Sequence, residues 1–202
     1  MDVEALLTTT RSVRRKLDLD RPVERDVLTD CIRIAMQAPM AGNMLDALRW
    51  VVVDDPALKT RIAKPFRDVG LAMIAEHGKG IPESKLASPR YLMEVVDRVP
   101  ALVFPCLRGR PEGEHVMLTS FYGSAYPAIW NFQLALRSRG LGSTITGYHL
   151  LGHEREVSDL LGIPEGYTQI AMLPVGYTTQ RDFRSAARPP AEEITYFDRW
   201  AG

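Results

Sequence analysis

The sequence lacks a net charge, because 25 lysines and arginines balance 25 aspartates and glutamates in 202 residues. A balanced chain has no overall field that attracts nucleic acid or an anionic membrane surface, so we expect neither partner. No apolar run approaches the roughly 20 residues of a membrane-spanning helix. The N-terminus also lacks the apolar stretch of a secretory signal peptide, and we therefore expect a cytoplasmic protein.

Cysteine is equally scarce, with only Cys31 and Cys106 in the chain. Two free thiols in a reducing cytosol are favoured over one structural disulfide, although both remain open from the sequence. Cys106 is a candidate nucleophile, but a buried thiol is the commoner role of such a residue. His149 and His153 have the spacing of a helical metal pair, but Gly152 lies between them and no third ligand follows, so we predict no metal site.

Several common enzyme motifs are missing. The sequence contains no G-x-S-x-G elbow, no Walker motif and no G-x-G-x-x-G fingerprint. These absences argue against an α/β-hydrolase and against the common nucleotide-binding folds.

The remaining composition is that of a globular protein, with 46% hydrophobic residues, and the length suits one domain over residues 1–202. Apolar periodicity predicts helices and strands that interleave irregularly, which is typical of an α+β fold. The predicted helices cover 2–7, 22–38, 56–63, 69–76, 90–96, 124–139 and 154–161. The predicted strands cover 50–53, 101–104 and 170–173.

Two prolines predict where a strand is interrupted and where a helix begins. Pro105 should break or bulge the second strand, and Pro127 should lie near the start of its helix.

Residues 181–202 lack periodicity but contain Tyr196, Phe197 and Trp200. Exposed aromatic side chains are unfavourable in water, so this arm should pack on its own subunit or on a partner.

Two short segments are candidate anion sites. Arg11, Ser12 and Arg14 combine guanidinium groups with a hydroxyl, which suits phosphate, although a solvated basic loop is the more common meaning of such a run. The Gly140–Ser143 turn brings backbone amides within reach of a ligand, although a plain helix C-cap is the more common role of such a turn.

Together these segments resemble the FMN-dependent nitroreductase family over nearly the whole chain. Residues 10–14 are similar to its R-R-S-x-R motif, and residues 38–43 to its A-P-S-x-x-N loop. The G-L-G-S, L-G-I-P-E-G and P-V-G-Y elements follow at 140–143, 161–166 and 174–177, and R-x-P-x-E-E closes the series at 188–193.

The resemblance implies an α+β fold with a nitroreductase-like mixed sheet flanked by helices. It also implies an intertwined homodimer in which the C-terminal arms, about residues 181–202, cross to the partner. FMN would lie at the dimer interface. Carried over by position, the residues that hold FMN are Arg11, Ser12, Val13, Arg14, Pro39, Met40, Ala41, Asn43, Leu141, Gly142 and Arg188.

The implied activity is that of a flavin oxidoreductase, in which the cofactor carries the chemistry and no side chain is strictly catalytic. NADPH or NADH passes a hydride to the flavin N5 atom, and a nitroaromatic, quinone or enone acceptor then takes its place in a ping-pong exchange. An alternative is a flavin-binding or storage protein of the same fold without nicotinamide turnover. A related enzyme that performs dehalogenation or flavin fragmentation is a further alternative.

Three positions depart from the family pattern. Thr10 replaces the first arginine, Met40 replaces the serine of the A-P-S loop, and Leu45 stands where a glutamine is common. A more apolar loop narrows or dries the pocket around the flavin ring.

Overall fold

A computed structural model describes residues 2–44 and 46–200, so Leu45 and the side chain of Asn43 lie outside the described residues. In chain order the elements are α1 (Val3–Thr9), α2 (Arg25–Ala35), β1 (Leu48–Val53), α3 (Pro56–His77), α4 (Glu83–Val95), β2 (Ala101–Arg108), α5 (His115–Ser138), β3 (Leu141–Ser143), α6 (Glu154–Leu161), β4 (Tyr167–Gln169), β5 (Leu173–Tyr177) and α7 (Ala191–Ile194). Short 3-10 helices cover Gly42–Met44, Val96–Arg98 and Tyr148–Leu150.

The five strands of the described chain form one sheet around β2. β1 pairs with β2 along its whole length, β4 and β5 pair with opposite ends of the other edge of β2, and β3 pairs with the far edge of β5. The α+β fold is confirmed, but each of these pairings is antiparallel, which corrects the expected mixed sheet. The reason is that α3 and α4 pack together as a hairpin and return the chain to the end of β1, so that β2 runs back beside it.

Strand β2 supplies side chains to cores on both faces of the sheet, because successive side chains of a strand point to opposite faces. Val103 and Leu107 enter the core covered by α2 and α5. Phe104 and Cys106 enter the core covered by α3, α4 and α6. Cys31 lies in the first core, and both cysteines are free, which confirms the expectation of two thiols.

Three helices contain an interior proline, which the sequence rules treat as a break: Pro65 in α3, Pro89 in α4 and Pro127 in α5. The predicted segments 56–63 and 69–76 are one helix, α3, with Pro65 in its interior. α5 begins at His115, so Pro127 lies near its middle and the prediction that it would lie near the start was wrong. A proline inside a helix costs about 3 kcal/mol. Buried side chains on both sides of Pro127, such as Phe121 and Ile129, offset that cost by packing on the sheet.

The predicted strand over 170–173 was also wrong. Residues 170–172 lie between β4 and β5, where the chain leaves the edge of β2 and returns to it. Pro105 lies at this interruption, and its carbonyl accepts a hydrogen bond from the Ile170 amide at 2.9 Å. Pro105 has no N–H to donate. In an antiparallel strand, the N–H and the C=O of one residue point toward the same neighbouring strand, so the position where Pro105 lacks a donor faces the gap between β4 and β5. β2 therefore continues through Pro105 to Arg108.

The C-terminal arm packs on its own subunit only near its start, where Phe183 contacts the second core. At its far end Phe197 is 86% exposed and Trp200 is 82% exposed, while Tyr196 contacts the Trp200 ring at a centroid distance of 4.6 Å. The three aromatic residues of the sequence prediction therefore have no host on the same subunit among the described residues.

A buried polar network joins the core to α6. The Gln169 amide donates to the Glu154 carbonyl at 2.9 Å and to Ser158 Oγ at 2.8 Å, so its oxygen accepts from His149 Nε2 at 3.0 Å. His149 is fully buried, and its Nδ1 has no hydrogen-bond partner among the described residues. Burial lowers the pKa of His149 from 6.5 to about 4, which outweighs the opposing effect of the hydrogen bond to Gln169.

The buried His149 predicts that the folded protein loses stability as the pH falls. Between pH 6.5 and about 4 the unfolded chain binds a proton at position 149 and the folded chain does not, so the free energy of unfolding falls as pH falls. The full effect is about 3 kcal/mol. Urea titrations from pH 7 to pH 4 should show a weaker pH dependence in His149→Gln than in the wild type. The control His115→Gln, at an exposed position, should keep the wild-type dependence, and an unchanged slope in His149→Gln would contradict the assignment.

Candidate active site

The N-terminal arginine segment is held against β3 by the backbone. The Val13 amide donates to the Ser143 carbonyl at 2.9 Å, and the Val13 side chain is 3% exposed. Its neighbour Ser12 is exposed and Arg14 is half-buried. The structure thus brings residues 11–14 together with the Gly-Leu-Gly turn, although they are about 130 positions apart in the sequence.

Gly142 is the residue that permits this approach. A Cβ atom at position 142 would lie 2.8 Å from Val13 Cβ and 2.9 Å from Val13 Cγ2. Leu141 is also fully buried, with its side chain in the core under α2 and α5. The side chains of Val13 and Leu141 are therefore used for packing, and only backbone groups remain at these two predicted cofactor positions.

Arg11 and Arg14 lie on either side of the Val13 anchor. Arg11 donates to the carbonyls of Thr10 at 2.5 Å and Thr8 at 2.7 Å, at the end of α1. Two of its five N–H donors are thereby used, and three remain for a ligand. Burial lowers the pKa of Arg14, and the neighbouring Tyr148 acts in the opposite direction. Among the described residues no carboxylate forms an ion pair with Arg14.

A narrow cleft lies beside Arg11, between the arginine segment, α5 and β3. Its walls are Thr10, Arg11, Val13, Gln133, Arg137, Leu141, Gly142 and Ser143. The Gln133 amide donates to Ser143 Oγ at 3.0 Å, and the buried Arg137 Nε has no hydrogen-bond partner among the described residues. Burial lowers the pKa of Arg137.

Sequence reasoning missed Arg137 as a site residue. The available signal was its position four residues after Gln133, which places both side chains on the same face of α5. The guanidinium carbon of Arg137 lies 3.6 Å from the ring centroid of Phe183, so the start of the C-terminal arm crosses the chain at this cleft.

The Pro39–Ala41 loop lies elsewhere in the subunit. The Ala41 amide donates to Ser124 Oγ at 3.1 Å, near the middle of α5. Ser124 and Gln133 are nine positions apart on this helix, which corresponds to roughly 13 Å along its axis. Pro39 is exposed and Met40 is half-buried against the core under α2. One subunit therefore does not bring this loop to the arginine cleft.

Arg188 is likewise separate from the cleft. It lies on the exposed part of the arm, where its Nη1 donates to the Ala187 carbonyl at 3.4 Å. Asn43, the remaining predicted position, has its side chain outside the described residues.

The candidate cysteine and histidine side chains form structural contacts and not a reactive site. Burial raises the pKa of Cys106 to about 12, so this thiol is not an activated nucleophile. His149 binds Gln169, while His153 Nδ1 lies 2.7 Å from Glu156 Oε2. Across residues 2–44 and 46–200 we find no group of three or more potential metal-ligating side chains. The helices of this part of the chain include none with the length and hydropathy of a membrane span.

Comparison with known proteins now identifies the class. The model of the nitroreductase family matches residues 7–177, and the chain belongs to this family. It therefore has a nitroreductase-family oxidoreductase fold.

Solved structures share this fold at low sequence identity. An iodotyrosine deiodinase bound to FMN and 3-iodo-L-tyrosine aligns with a TM-score of 0.74 at 21% identity, over 98% of this chain and all of that one. A BluB-like flavoprotein from Clostridium difficile gives 0.73 at 20%, over 98% of this chain and 100% of that one. The NADPH:FMN oxidoreductase of Vibrio harveyi, complexed with NAD+, gives 0.71 at 18%, over 98% of this chain and 78% of that one.

The contact between Gly142 and Val13 makes a prediction about the site. In Gly142→Ala the new methyl group must push the Val13 segment away from β3, and overpacking of this kind costs roughly 1–3 kcal/mol. We expect a lower free energy of unfolding in urea and faster hydrogen exchange at the Val13 amide.

Gly166→Ala is the matched control, because an added Cβ there has no atom within 4 Å. Equal exchange at Val13 in both variants would show that Gly142 does not position the arginine segment.

Proposed function

We propose that the protein is an FMN-dependent oxidoreductase that takes electrons from NADPH or NADH and passes them to a small acceptor such as a nitroaromatic, a quinone or an enone. The observation that carries the proposal is the half-buried Arg14 without a carboxylate partner, beside a second cation and a glycine-supported backbone turn. The chemistry would come from bound FMN, which accepts a hydride at N5 from the nicotinamide and delivers it to the acceptor in a second half-reaction.

The residues present fit a flavin mononucleotide. A guanidinium that is partly removed from water is unfavourable unless an anion or polar ligand meets it. Arg14 has this character, and Arg137, which lines the cleft with Arg11, has a buried donor without a partner among the described residues. Arg11 and the exposed Ser12 hydroxyl supply further donors of the type that phosphate accepts.

The roles of the individual side chains follow from these surroundings. Arg11 and Ser12 bind the phosphate, because they have donors left and face away from the core. Arg14 is partly removed from water and would hold the flavin ring. Its positive charge would favour the reduced form of the cofactor and raise its potential. Val13 and Gly142 hold this geometry without contacting the ligand through their side chains.

We propose that the working unit is a homodimer. α5 exposes Tyr122, Tyr126 and Trp130 at four-residue spacing on one face. Tyr196, Phe197 and Trp200 at the far end of the arm are exposed on their own subunit, and the Pro39–Ala41 loop lies far from the arginine cleft of the same chain. A second copy packed on α5 covers the aromatic stripe and brings its own loop toward the flavin. The cytoplasmic location stays a prediction.

The dimer predicts a mass of twice 22.6 kDa for the wild type in sedimentation velocity. Tyr126→Arg places a charge on the exposed stripe of α5 and should shift the protein toward the monomer, because a charge buried in an apolar interface is strongly unfavourable. Leu151→Arg puts the same charge on an exposed apolar residue outside α5 and should leave the dimer intact. A monomeric wild type would overturn the proposal.

The cofactor assignment predicts that removal of Arg11 and Arg14, but not of neighbouring cations, causes loss of bound flavin. Arg11→Ala combined with Arg14→Ala should reduce flavin retention at least tenfold without unfolding the chain. Arg15→Ala combined with Lys16→Ala removes the same charge from adjacent exposed side chains and should retain flavin. Absorbance at the flavin bands per chain, with circular dichroism as the folding check, measures both. Full flavin occupancy in the first variant would falsify the anion-site assignment.

The same spectra test turnover. Anaerobic addition of NADPH or NADH should bleach the flavin bands of the wild type, and an added quinone should restore them. A retained flavin that resists both nicotinamides would favour the alternative of a flavin-binding protein without turnover.

A further inference from the structure

Arg137 of α5 lines the cleft beside Arg11. Its buried Nε atom has no hydrogen-bond partner among the described residues. The ion pairs formed within residues 2–44 and 46–200 do not include Arg137 either. A buried donor without an acceptor is unfavourable, so this arrangement indicates a ligand atom that accepts a hydrogen bond from Nε.

The ring of Phe183 holds the Arg137 guanidinium from one face. The guanidinium carbon lies 3.6 Å from the ring centroid, and Phe183 itself packs against the core covered by α3, α4 and α6. A cation–π contact uses the face of a guanidinium, whereas the N–H groups lie in its plane and point to its edges. Phe183 therefore positions Arg137 without satisfying the buried Nε.

The charge of the cleft favours an anion. Its walls contain two guanidinium groups, from Arg11 and Arg137, and no carboxylate. Arg11 has three N–H donors left after its two hydrogen bonds to backbone carbonyls. Ser143 Oγ accepts from the Gln133 amide at 3.0 Å, so its hydroxyl proton is also left to donate. Guanidinium and hydroxyl donors of this kind bind the oxygens of a phosphate group.

The free space in the cleft is about 10 Å³, which is room for about one oxygen atom and not for a whole anion. Thr10, at the position where the resembled pattern has an arginine, adds no donor to this space. Its hydroxyl donates to the Leu6 carbonyl at 2.6 Å, and the residue is only 5% exposed. The second cation at the cleft therefore comes from α5 and not from the N-terminal segment.

We propose that Arg137 binds one oxygen of the FMN phosphate through its Nε–H, and that Phe183 is a positioning residue for this contact. The identity of the ligand rests on the proposed function. Inorganic phosphate offers the same oxygen chemistry and is the other source of such an anion, so the experiment separates the two.

Riboflavin tests the contact, because it carries the ring of FMN but lacks the phosphate. Flavin fluorescence measures both dissociation constants for the full chain after removal of bound flavin. Arg137→Gln should raise the constant for FMN at least tenfold, since a hydrogen bond to a charged group contributes about 1.5–3 kcal/mol. It should leave the constant for riboflavin within twofold of the wild type.

Arg139→Gln is the matched control, because it removes the same charge from an exposed position just after α5 and outside the cleft. It should change neither constant. Equal FMN binding in the wild type and in Arg137→Gln would overturn the phosphate contact, and so would an equal loss of FMN and riboflavin binding.

Phe183→Leu tests the positioning role and remains informative if Arg137→Gln does not fold. It keeps an apolar side chain against the core but removes the ring face from the guanidinium. The constant for FMN should rise at least threefold, with riboflavin again within twofold and with an unchanged circular dichroism spectrum. A merely structural role would shift both constants alike, and that result would overturn the role of Phe183.

Inorganic phosphate separates the two sources of the anion. Isothermal titration calorimetry of the flavin-free chain, at an ionic strength matched with chloride, should give at least fivefold weaker phosphate binding in Arg137→Gln. Phosphate should also compete with FMN but not with riboflavin in the wild type. Phosphate binding that depends on Arg137 without this competition would overturn the assignment to the flavin phosphate.

The same titrations distinguish a failure of the proposed function from a failure of the contact. A wild type that binds neither flavin contradicts the proposed function and with it the FMN phosphate as the ligand. Equal binding of inorganic phosphate in the wild type and in folded Arg137→Gln would contradict the anion contact of Arg137 itself.

Discussion

The packing of Val13 on Gly142 determines where the cations of the N-terminal segment lie. The segment has no regular secondary structure of its own between α1 and α2 apart from isolated pairing, so its position depends on this contact and on the hydrogen bond from Val13 to Ser143. Only a residue without a side chain at position 142 permits so close an approach. Once Val13 is buried, Ser12 remains exposed and Arg14 remains half-buried beside Tyr148.

The electrostatics of the site follow from that placement. Arg14 and Arg137 are both partly removed from water, and burial lowers the pKa of each. Neither forms an ion pair with a carboxylate among the described residues, whereas several other arginines do, as Arg25 does with Asp54 and Arg155 does with Glu165. Partial burial of a guanidinium without a carboxylate partner is the main physical argument for a bound anionic ligand, because an uncompensated buried charge lowers stability.

The length of α5 explains why one subunit does not complete the proposed site. β3 and the arginine segment meet near the C-terminal half of α5, whereas the Pro39–Ala41 loop meets Ser124 in its first half. α5 is one continuous helix of 24 residues, so these two regions lie apart within one chain. In the proposed homodimer, the exposed aromatic face of the same helix would be the surface through which a second copy closes that distance.

The sequence by itself determined the α+β class, the two free thiols, most helix and strand positions and the family. Apolar periodicity and short motifs in a fixed order are local signals, so they can be recognised in the sequence without any knowledge of tertiary contacts. Tertiary structure alone decided that α5 continues through Pro127 and that β2 continues through Pro105, because packing energy and the gap opposite Pro105 outweigh local rules. It also decided that Val13 and Leu141 are packing residues and that Arg137 joins the cleft. Those facts depend on contacts between segments far apart in the sequence, which no local pattern contains.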